Sequence, residues 1–391
     1  MPPSDSVERI LRAAAPHELL HEIRALLVAR HGALSVELLL ADYAMTRLQP
    51  LTTPPHDAEP VSVYSTAPGR AFGAQEPYLV DGGERVTVHL PVSVRGDRLG
   101  VLSVTLPRAA RTPEIGDELG LVADALAHEL LVADRDTDLF RQARRTDRLT
   151  LAAEMQWQLL PGRSCARPEY GLGAQLEPAY AIYGDSFDWS TSADHLFLGV
   201  NNGMGDGIDA ALLTNLAVNA VRNARRAGLG LVDQASLADQ AVYGQYRGER
   251  HLAMLLLDFH LDTGRVEIVD AGSPKVWRLR DGNVETVELE AQLPLGMFED
   301  TVYTCQDFRV EPGDRLIFAS DGVYEVASPA GESYSTRALA RAVTSTRLLP
   351  PSQVPGAILE HLAGHRGAGV ESTDDATVLC LDWVGRPARG A

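Results

Sequence analysis

Apolar positions recur at helical spacing near the start of the chain: Val7, Ile10, Leu11 and Ala14, then Leu19, Leu20, Ile23, Leu26 and Leu27. This predicts a helix over residues 7–30, closed by Gly32. Ser35 to Leu40 is an apolar, strand-like run, and residues 48–84, rich in Pro, Gly and Thr, read as a long loop. A hairpin follows, with strands Val86–Val92 and Leu99–Val104 joined through Arg95-Gly96-Asp97. Glu114 to about Leu160 is a long, mostly helical stretch. Leu119, Val122, Leu126, Leu130 and Ala133 form one apolar stripe along it, extended less regularly by Leu139, Ala143, Leu149 and Ala153.

Pro161-Gly162-Arg163 breaks this pattern, and strands with Gly-rich turns take over. Leu196–Val200 reads as a strand and Ile208–Val221 as an apolar helix. Leu252–Phe259 and Arg265–Val269 form a hairpin, and Lys275–Arg280 and Val284–Leu289 another. Arg315–Ala319 and Ala376–Leu381 are buried strands, and helices fall near 336–346 and 354–365. Runs of strands with a few helices predict a mixed α/β sandwich rather than alternating βαβ units.

At 391 residues the chain is too long for one ordinary core, so two domains with a helical connector are expected. A formal net charge of −18 argues against nucleic acid or anionic lipid as partner. No run approaches the ~18 apolar residues of a membrane span. The N-terminus carries no basic residues followed by an apolar stretch, so no signal peptide is expected. Cys165, Cys305 and Cys380 are far apart and outside any CxxC, which disfavours a disulfide framework or a zinc site and fits a reducing cytoplasm. None has a reactive-thiol neighbourhood, and His251 and His260 read as structural. No P-loop, dinucleotide-binding glycine pattern or kinase signature is present. Arg141, Arg144, Arg145 and Arg148, interleaved with Asp134, Asp136, Asp138 and Asp147, read as a solvated charged face.

Four segments place an acidic or amide side chain at a strand end: Tyr183-Gly184-Asp185, Asn201-Asn202-Gly203-Met204-Gly205-Asp206-Gly207, Ser320-Asp321-Gly322 and Asp374-Asp375-Ala376-Thr377. Oxygen ligands suit hard divalent cations. Adjacent glycines let the backbone approach an ion or phosphate closely. Carboxylates gathered together repel one another unless cations sit between them. Two cations about 3.5–4 Å apart activate water and stabilise a displaced phosphoryl oxygen.

These segments, with Leu-Leu-Pro at 159–161, Asp-Ala-Gly-Ser-Pro, Leu-Pro-Leu-Gly-Met and Ala-Ser-Asp-Gly-Val-Tyr-Glu, occur in the order found in SpoIIE/RsbU-type phosphatases of the PPM family. The resemblance covers about residues 145–384. It implies an α-β-β-α sandwich and a binuclear Mn²⁺ or Mg²⁺ centre. Position by position, Asp185, Asp321 and Asp374 match metal carboxylates. Asn202 falls where the family has a bridging Asp, and Gly203 follows it as the residue offering a backbone carbonyl. Residues 154–160 match a segment that can act as a regulatory switch helix. The implied substrate is a phosphoserine or phosphothreonine on a STAS-type anti-sigma-factor antagonist.

The N-terminal order of helix, strand, loop, hairpin and exit helix resembles a GAF domain. A PAS domain or a small α+β dimerisation module gives a similar pattern. His56 is the only His in the Pro/Gly-rich loop, so no haem, bilin or metal ligand set is indicated there. The reading is therefore α+β, with a GAF-like sensor domain at 1–113, a helical linker at 114–160 whose stripe pairs two chains into a homodimer, and a phosphatase domain at 161–391. Asn202 keeps an oxygen ligand but removes a charge that offsets two cations. Asp206, four residues after it, is a candidate to compensate. Met254 and Ser273 replace residues common in the family at positions that hold no metal. Three readings stay open: an active phosphatase with weakened or unusual metal use, a non-catalytic relative (a pseudophosphatase) that binds a phosphoprotein or partner through the same surface, and a vestigial site on a chain that acts as a sensor or dimer scaffold.

Overall fold

The computed structural model describes residues 3–52, 58–110, 112–178, 180, 183–272, 274–335, 337–367 and 374–386. The chain divides into two compact units, Met1–Arg148 and Leu149–Ala391.

The first unit begins with helices α1 (Pro3–Ala13) and α2 (Leu19–His31). The predicted helix over 7–30 is thus two helices. Pro16 lacks an N–H and disfavours helical geometry in the residue before it, so the helix is interrupted there. Gly32 closes α2 with φ 63°, as expected. Strands β1 (Ser35–Ala41), β2 (Arg47–Pro50) and β3 (Val61–Ser62), helix α3 (Ala67–Ala74), and strands β4 (Tyr78–Asp81), β5 (Arg85–Val94) and β6 (Asp97–Pro107) follow. All strands join one antiparallel sheet in the order β3-β2-β1-β6-β5-β4. The stretch 48–84, expected to be a loop, supplies the short edge strands and one helix. Short edge strands tolerate Pro and Gly because one side of them makes no ladder bonds. Thr66 caps α3 by accepting from the Gly69 N–H. Phe72 and Ala71 then bury against Leu39, Leu48 and Val101 on one face of the sheet. His56 lies outside the described residues.

Helices α4 (Pro113–Ala133) and α5 (Leu139–Ala143) complete the unit. The predicted stripe of Leu119, Val122, Leu126, Leu130 and Ala133 is buried, but against Val36, Leu38, Leu90, Leu102 and Val104 of its own sheet. This corrects the expected pairing surface: the stripe is consumed inside the unit. Nor is 114–160 one linker. Residues 114–148 belong to the first unit and 149–160 to the second.

The second unit opens with α6 (Leu151–Leu159), capped by the Thr150 hydroxyl accepting from the Ala153 N–H. Then come β7 (Ser164–Arg167), β8 (Tyr170–Glu177), β9 (Ser186–Thr191), β10 (His195–Asn202), α7 (Gly207–Arg226), α8 (Leu231–Tyr246), β11 (Ala253–His260), β12 (Arg265–Ala271), β13 (Lys275–Arg280), β14 (Asn283–Thr286), β15 (Gln306–Arg309), β16 (Arg315–Ala319), α9 (Asp321–Tyr324), α10 (Ala338–Ser345), α11 (Val354–Arg366) and β17 (Ala376–Trp383). Two antiparallel sheets result, β15-β12-β11-β10-β9 and β14-β13-β16-β17-β8-β7. Leu198, Val200, Leu255, Leu257 and Phe259 of the first meet Leu172, Leu316, Phe318, Leu379 and Leu381 of the second in one core. Helices α7 and α8 cover the outer face of the first sheet, and α10 and α11 that of the second. The second unit is therefore the α-β-β-α sandwich expected. Arg222 and Arg225 of α7 both bind the buried Asp188 of β9, at 2.8 and 3.1 Å, which fixes the helix over the sheet edge. Leaving Asp188 unpaired in that setting costs about 3–5 kcal/mol.

Candidate metal centre

Two close backbone crossings bring the four acidic segments together. Gly184, at φ +126°, lies against Gly203, and a Cβ built on Gly203 would come within 2.5 Å of the Gly184 backbone. No side chain fits at that crossing, so the Asp185 segment rests directly on Asn202-Gly203. A Cβ on Gly322 would lie 1.8 Å from the Asp375 carbonyl oxygen. Asp321-Gly322 is therefore pressed onto Asp374-Asp375. The β16–β17 pairing sets this up: Ala319 faces Val378, and Ser320 exchanges backbone and hydroxyl bonds with Thr377.

Asp375 joins the two halves. Its Oδ2 accepts from the N–H groups of Tyr183, Gly184 and Asp185 at 2.6, 2.9 and 3.1 Å. Thr214 of α7 donates to the Gly184 carbonyl at 2.7 Å, and the Gln156 amide of α6 donates to the Asp185 carbonyl. Asp185 is thus held from three sides while its own carboxylate stays pointed into the cluster.

Of the predicted residues, Asp185, Asn202, Gly203, Asp321 and Asp374 are all gathered here. Asp185 is 2% exposed. Asn202 ends β10 opposite Ala253. Asp321 starts α9, and its Oδ1 accepts from the Gly322 N–H at 2.8 Å. Asp374 precedes β17, and its Oδ1 accepts from the Asp375 N–H at 2.9 Å. Asp206 is exposed at the N-cap of α7 and makes no side-chain cap. Met254 is buried beneath the helices in the outer core. Ser273 lies outside the described residues. None of the three cysteines forms a disulfide; Cys165 and Cys380 are buried and Cys305 is exposed.

The electrostatics mark a cation site. Desolvation pushes the Asp185 carboxyl well above its ordinary range, and the charges of Asp375, Asp321 and Asp374 push it further. Desolvation also raises Asp375, to about 7, and raises Asp374, where Asp321 and Glu325 add to the effect. Asp185 Oδ2 and Asp375 Oδ1 are buried without a hydrogen-bond partner. A buried carboxylate oxygen with no donor is costly, and a divalent cation supplies what is missing. No three of these carboxylates bring ligand atoms within 4.8 Å of one another. The donor set is entirely oxygen, which suits Mg²⁺ and Mn²⁺.

Sequence reasoning assigned a role to Asp374 and passed over Asp375, Ser320, Thr214 and Gln156. The doubled Asp at 374–375 was a signal, since the second of the two turns to the backbone of the loop that carries Asp185.

Sandwich and acidic centre together define a metal-dependent phosphatase-type domain. Residues 192–384 match the family described as stage II sporulation protein E (SpoIIE), and the second unit is a SpoIIE/RsbU-type domain of the PPM phosphatases. The phosphoserine phosphatase RsbU of Bacillus subtilis is 23% identical over 184 residues, spanning 47% of this chain and 55% of RsbU. Protein IcfG of Synechocystis is 19% identical over 300 residues, spanning 68% of this chain and 46% of IcfG. The chain thus spans about half the length of the curated relatives it matches. A structure of the PP2C phosphatase domain of SpoIIE from Bacillus subtilis, with a fragment of its regulatory domain, superposes with a TM-score of 0.50 at 14% identity, covering 80% of this chain and 82% of that one. At that identity the likeness is one of fold. No helix among the described residues is long and apolar enough to cross a membrane.

Proposed function

We propose that this chain is a metal-dependent serine/threonine protein phosphatase acting on a phosphorylated STAS-type anti-sigma-factor antagonist, with its first unit as a GAF-like sensor. The observation that carries the reading is the convergence of Asp185, Asp321 and Asp374, distant in sequence, on one desolvated cluster with unsatisfied carboxylate oxygens. Asp185, Asn202, the Gly203 carbonyl, Asp321 and Asp374 would hold two Mn²⁺ or Mg²⁺ ions. When bound, such ions supply Lewis acidity to the phosphoryl oxygens and to the attacking water. Asp375 orients the loop that presents Asp185. The burial of Asp185 keeps bulk water off the charged groups and strengthens their electrostatics. No protein nucleophile is required, which agrees with the absence of a reactive-thiol setting around the cysteines.

Helix α6 is the natural point of control. Gln156 ties it to the Asp185 backbone, so a shift of α6 alters how a metal carboxylate is presented. α6 opens the second unit, directly after the sensor ends at Arg148.

Asn202 supports a second reading, a phosphoprotein-binding pseudophosphatase, since one neutral oxygen replaces a charge between two cations. Mn²⁺-dependent phosphate release from an aryl phosphate, with Asp321→Ala as control, separates the two. Activity above the control is expected, and Asn202→Asp should raise it. Equal rates for wild type and Asp321→Ala would remove the enzyme reading.

A further inference from the structure

The far end of β10 carries a second cluster. His195, the first residue of β10, pairs directly with His260, the last residue of β11. Asp258 lies two residues before His260, on the same face of β11. Glu267 of β12 is the cross-strand partner of Asp258. The His195 Nδ1 lies 3.0 and 3.1 Å from the two Asp258 carboxylate oxygens. The imidazole rings of His195 and His260 are 4.6 Å apart, centroid to centroid. One ligand atom from each of His195, Asp258 and His260 lies within 4.8 Å of the others, the only such trio among the described residues.

His260 supplies the independent observation. Its Nε2 is buried with no hydrogen-bond partner. The nearest carboxylate oxygen, on Glu267, is 3.8 Å away, and Glu267 is itself held at 2.9 Å by Arg265. A buried ring nitrogen without a hydrogen-bond partner, on a ring 4.6 Å from a second imidazole, lacks the partner that a metal ion provides.

We propose that His195, Asp258 and His260 form a binding site for a borderline transition-metal ion, Zn²⁺ in the first place, with Glu267 or water as fourth ligand. Two imidazoles and a carboxylate favour Zn²⁺ over Mg²⁺, which seeks oxygen alone. Tetrahedral ligands around Zn²⁺ sit about 3.4 Å apart for bonds of about 2.0–2.1 Å, so the side chains need only a small rotamer adjustment to close on the ion. Asn202 is seven residues further along β10, about 24 Å at strand rise, so this ion lies outside the phosphatase centre. It ties β10, β11 and β12 together at the edge remote from the catalytic carboxylates. The inference does not depend on the phosphatase reading.

The test uses the full chain, dialysed against micromolar Zn²⁺ with millimolar Mg²⁺ present, and counts bound zinc. Wild type and Asp321→Ala should each retain one equivalent of Zn²⁺, and His195→Gln and His260→Ala should lose it. Substituting Co²⁺ should give visible absorption bands that vanish in the same two variants. His195 is 44% exposed at a strand end, so His195→Gln tests the site in a folded chain, checked by an unchanged circular dichroism spectrum. The proposal is overturned if wild type retains no zinc, if His195→Gln retains as much as wild type, or if the zinc leaves with Asp321→Ala instead.

Discussion

Asp375 allows the clearest test of how the centre is built. Replacing it with Ala removes the acceptor for three backbone N–H groups at 2.6–3.1 Å, those of Tyr183, Gly184 and Asp185. A hydrogen bond to a charged group contributes about 1.5–3 kcal/mol. Three donors converge on one oxygen, so the sum is nearer ~4 kcal/mol than three times the single value. Asn keeps an oxygen in place as a neutral acceptor of about half the strength, for a loss of ~2 kcal/mol. One effect opposes this. The Asp375 charge disfavours ionisation of Asp185, and its removal relieves the metal-free protein. The loss should therefore appear chiefly in metal binding, where Asp185 must be ionised and its loop ordered. At ~1.4 kcal/mol per tenfold, Mn²⁺ affinity should fall about 10²–10³-fold in Asp375→Ala and ~10–30-fold in Asp375→Asn. Calorimetric Mn²⁺ titration of the three proteins measures this. If Asp375→Ala binds Mn²⁺ within about threefold of wild type, under ~0.7 kcal/mol, the loop does not depend on Asp375 and the reasoning fails.

Three further outcomes follow from the same geometry. Asp185, Asp374 and Asp375 all have raised carboxyl pKa values, Asp375 at about 7. The folded metal-free protein then holds more protons than the unfolded chain between the ordinary Asp value of ~3.9 and about 7, so its stability falls as pH rises through that window, by up to ~1.4 kcal/mol per pH unit for each such group. Thermal unfolding from pH 5 to 8 should show this fall without metal and lose it with saturating Mn²⁺; a metal-free midpoint that rises with pH would contradict it. Gly322→Ala forces a methyl against the Asp375 carbonyl and should cost about 1–3 kcal/mol and most of the Mn²⁺-dependent turnover, while Gly116→Ala, with open space at its Cβ, should leave phosphate release unchanged. Gln156→Ala leaves the buried Asp185 carbonyl without its donor, a loss of about 1–3 kcal/mol. It should weaken Mn²⁺ binding, whereas Gln158→Ala, exposed and paired with Glu154, should not.

The second unit was legible because its signals are local. Apolar strands such as Arg315–Ala319 and glycines beside acidic residues are visible without knowing the partners, and the order of the segments placed them in one site. The roles of Asp375 and Gln156 were not legible. Both act on backbone groups of the Asp185 loop, 29 residues or more away, and nothing in their own neighbourhoods shows that contact. The first unit misled in several respects, most of all at its apolar stripe. The stripe on α4 looks the same whether it meets another chain or its own sheet, because periodicity reports that a face is buried and not what buries it. Helix α8 was missed because Ala, Gln and Asp dilute its apolar face: its buried positions include Gln234, Ala235, Ala238 and Asp239. The cluster at His195 escaped because its members come from three strands and are joined only by register.

The two neighbouring asparagines at the end of β10 are not equivalent. Asn201 is buried on the helix-covered face of the sheet, which it shares with its cross-strand partner Met254, and donates to the Ser186 hydroxyl at 2.6 Å, whereas Asn202 is only half-buried. β10 is matched residue for residue with β11 along its whole length and with β9 over most of it. A slip by one position would exchange the two amides and turn every core leucine of the strand outward. The pair therefore works as a molecular index mark: one buried amide reads the alignment of the strands, and only when that reading is right does the other end the strand beside the Asp185 loop.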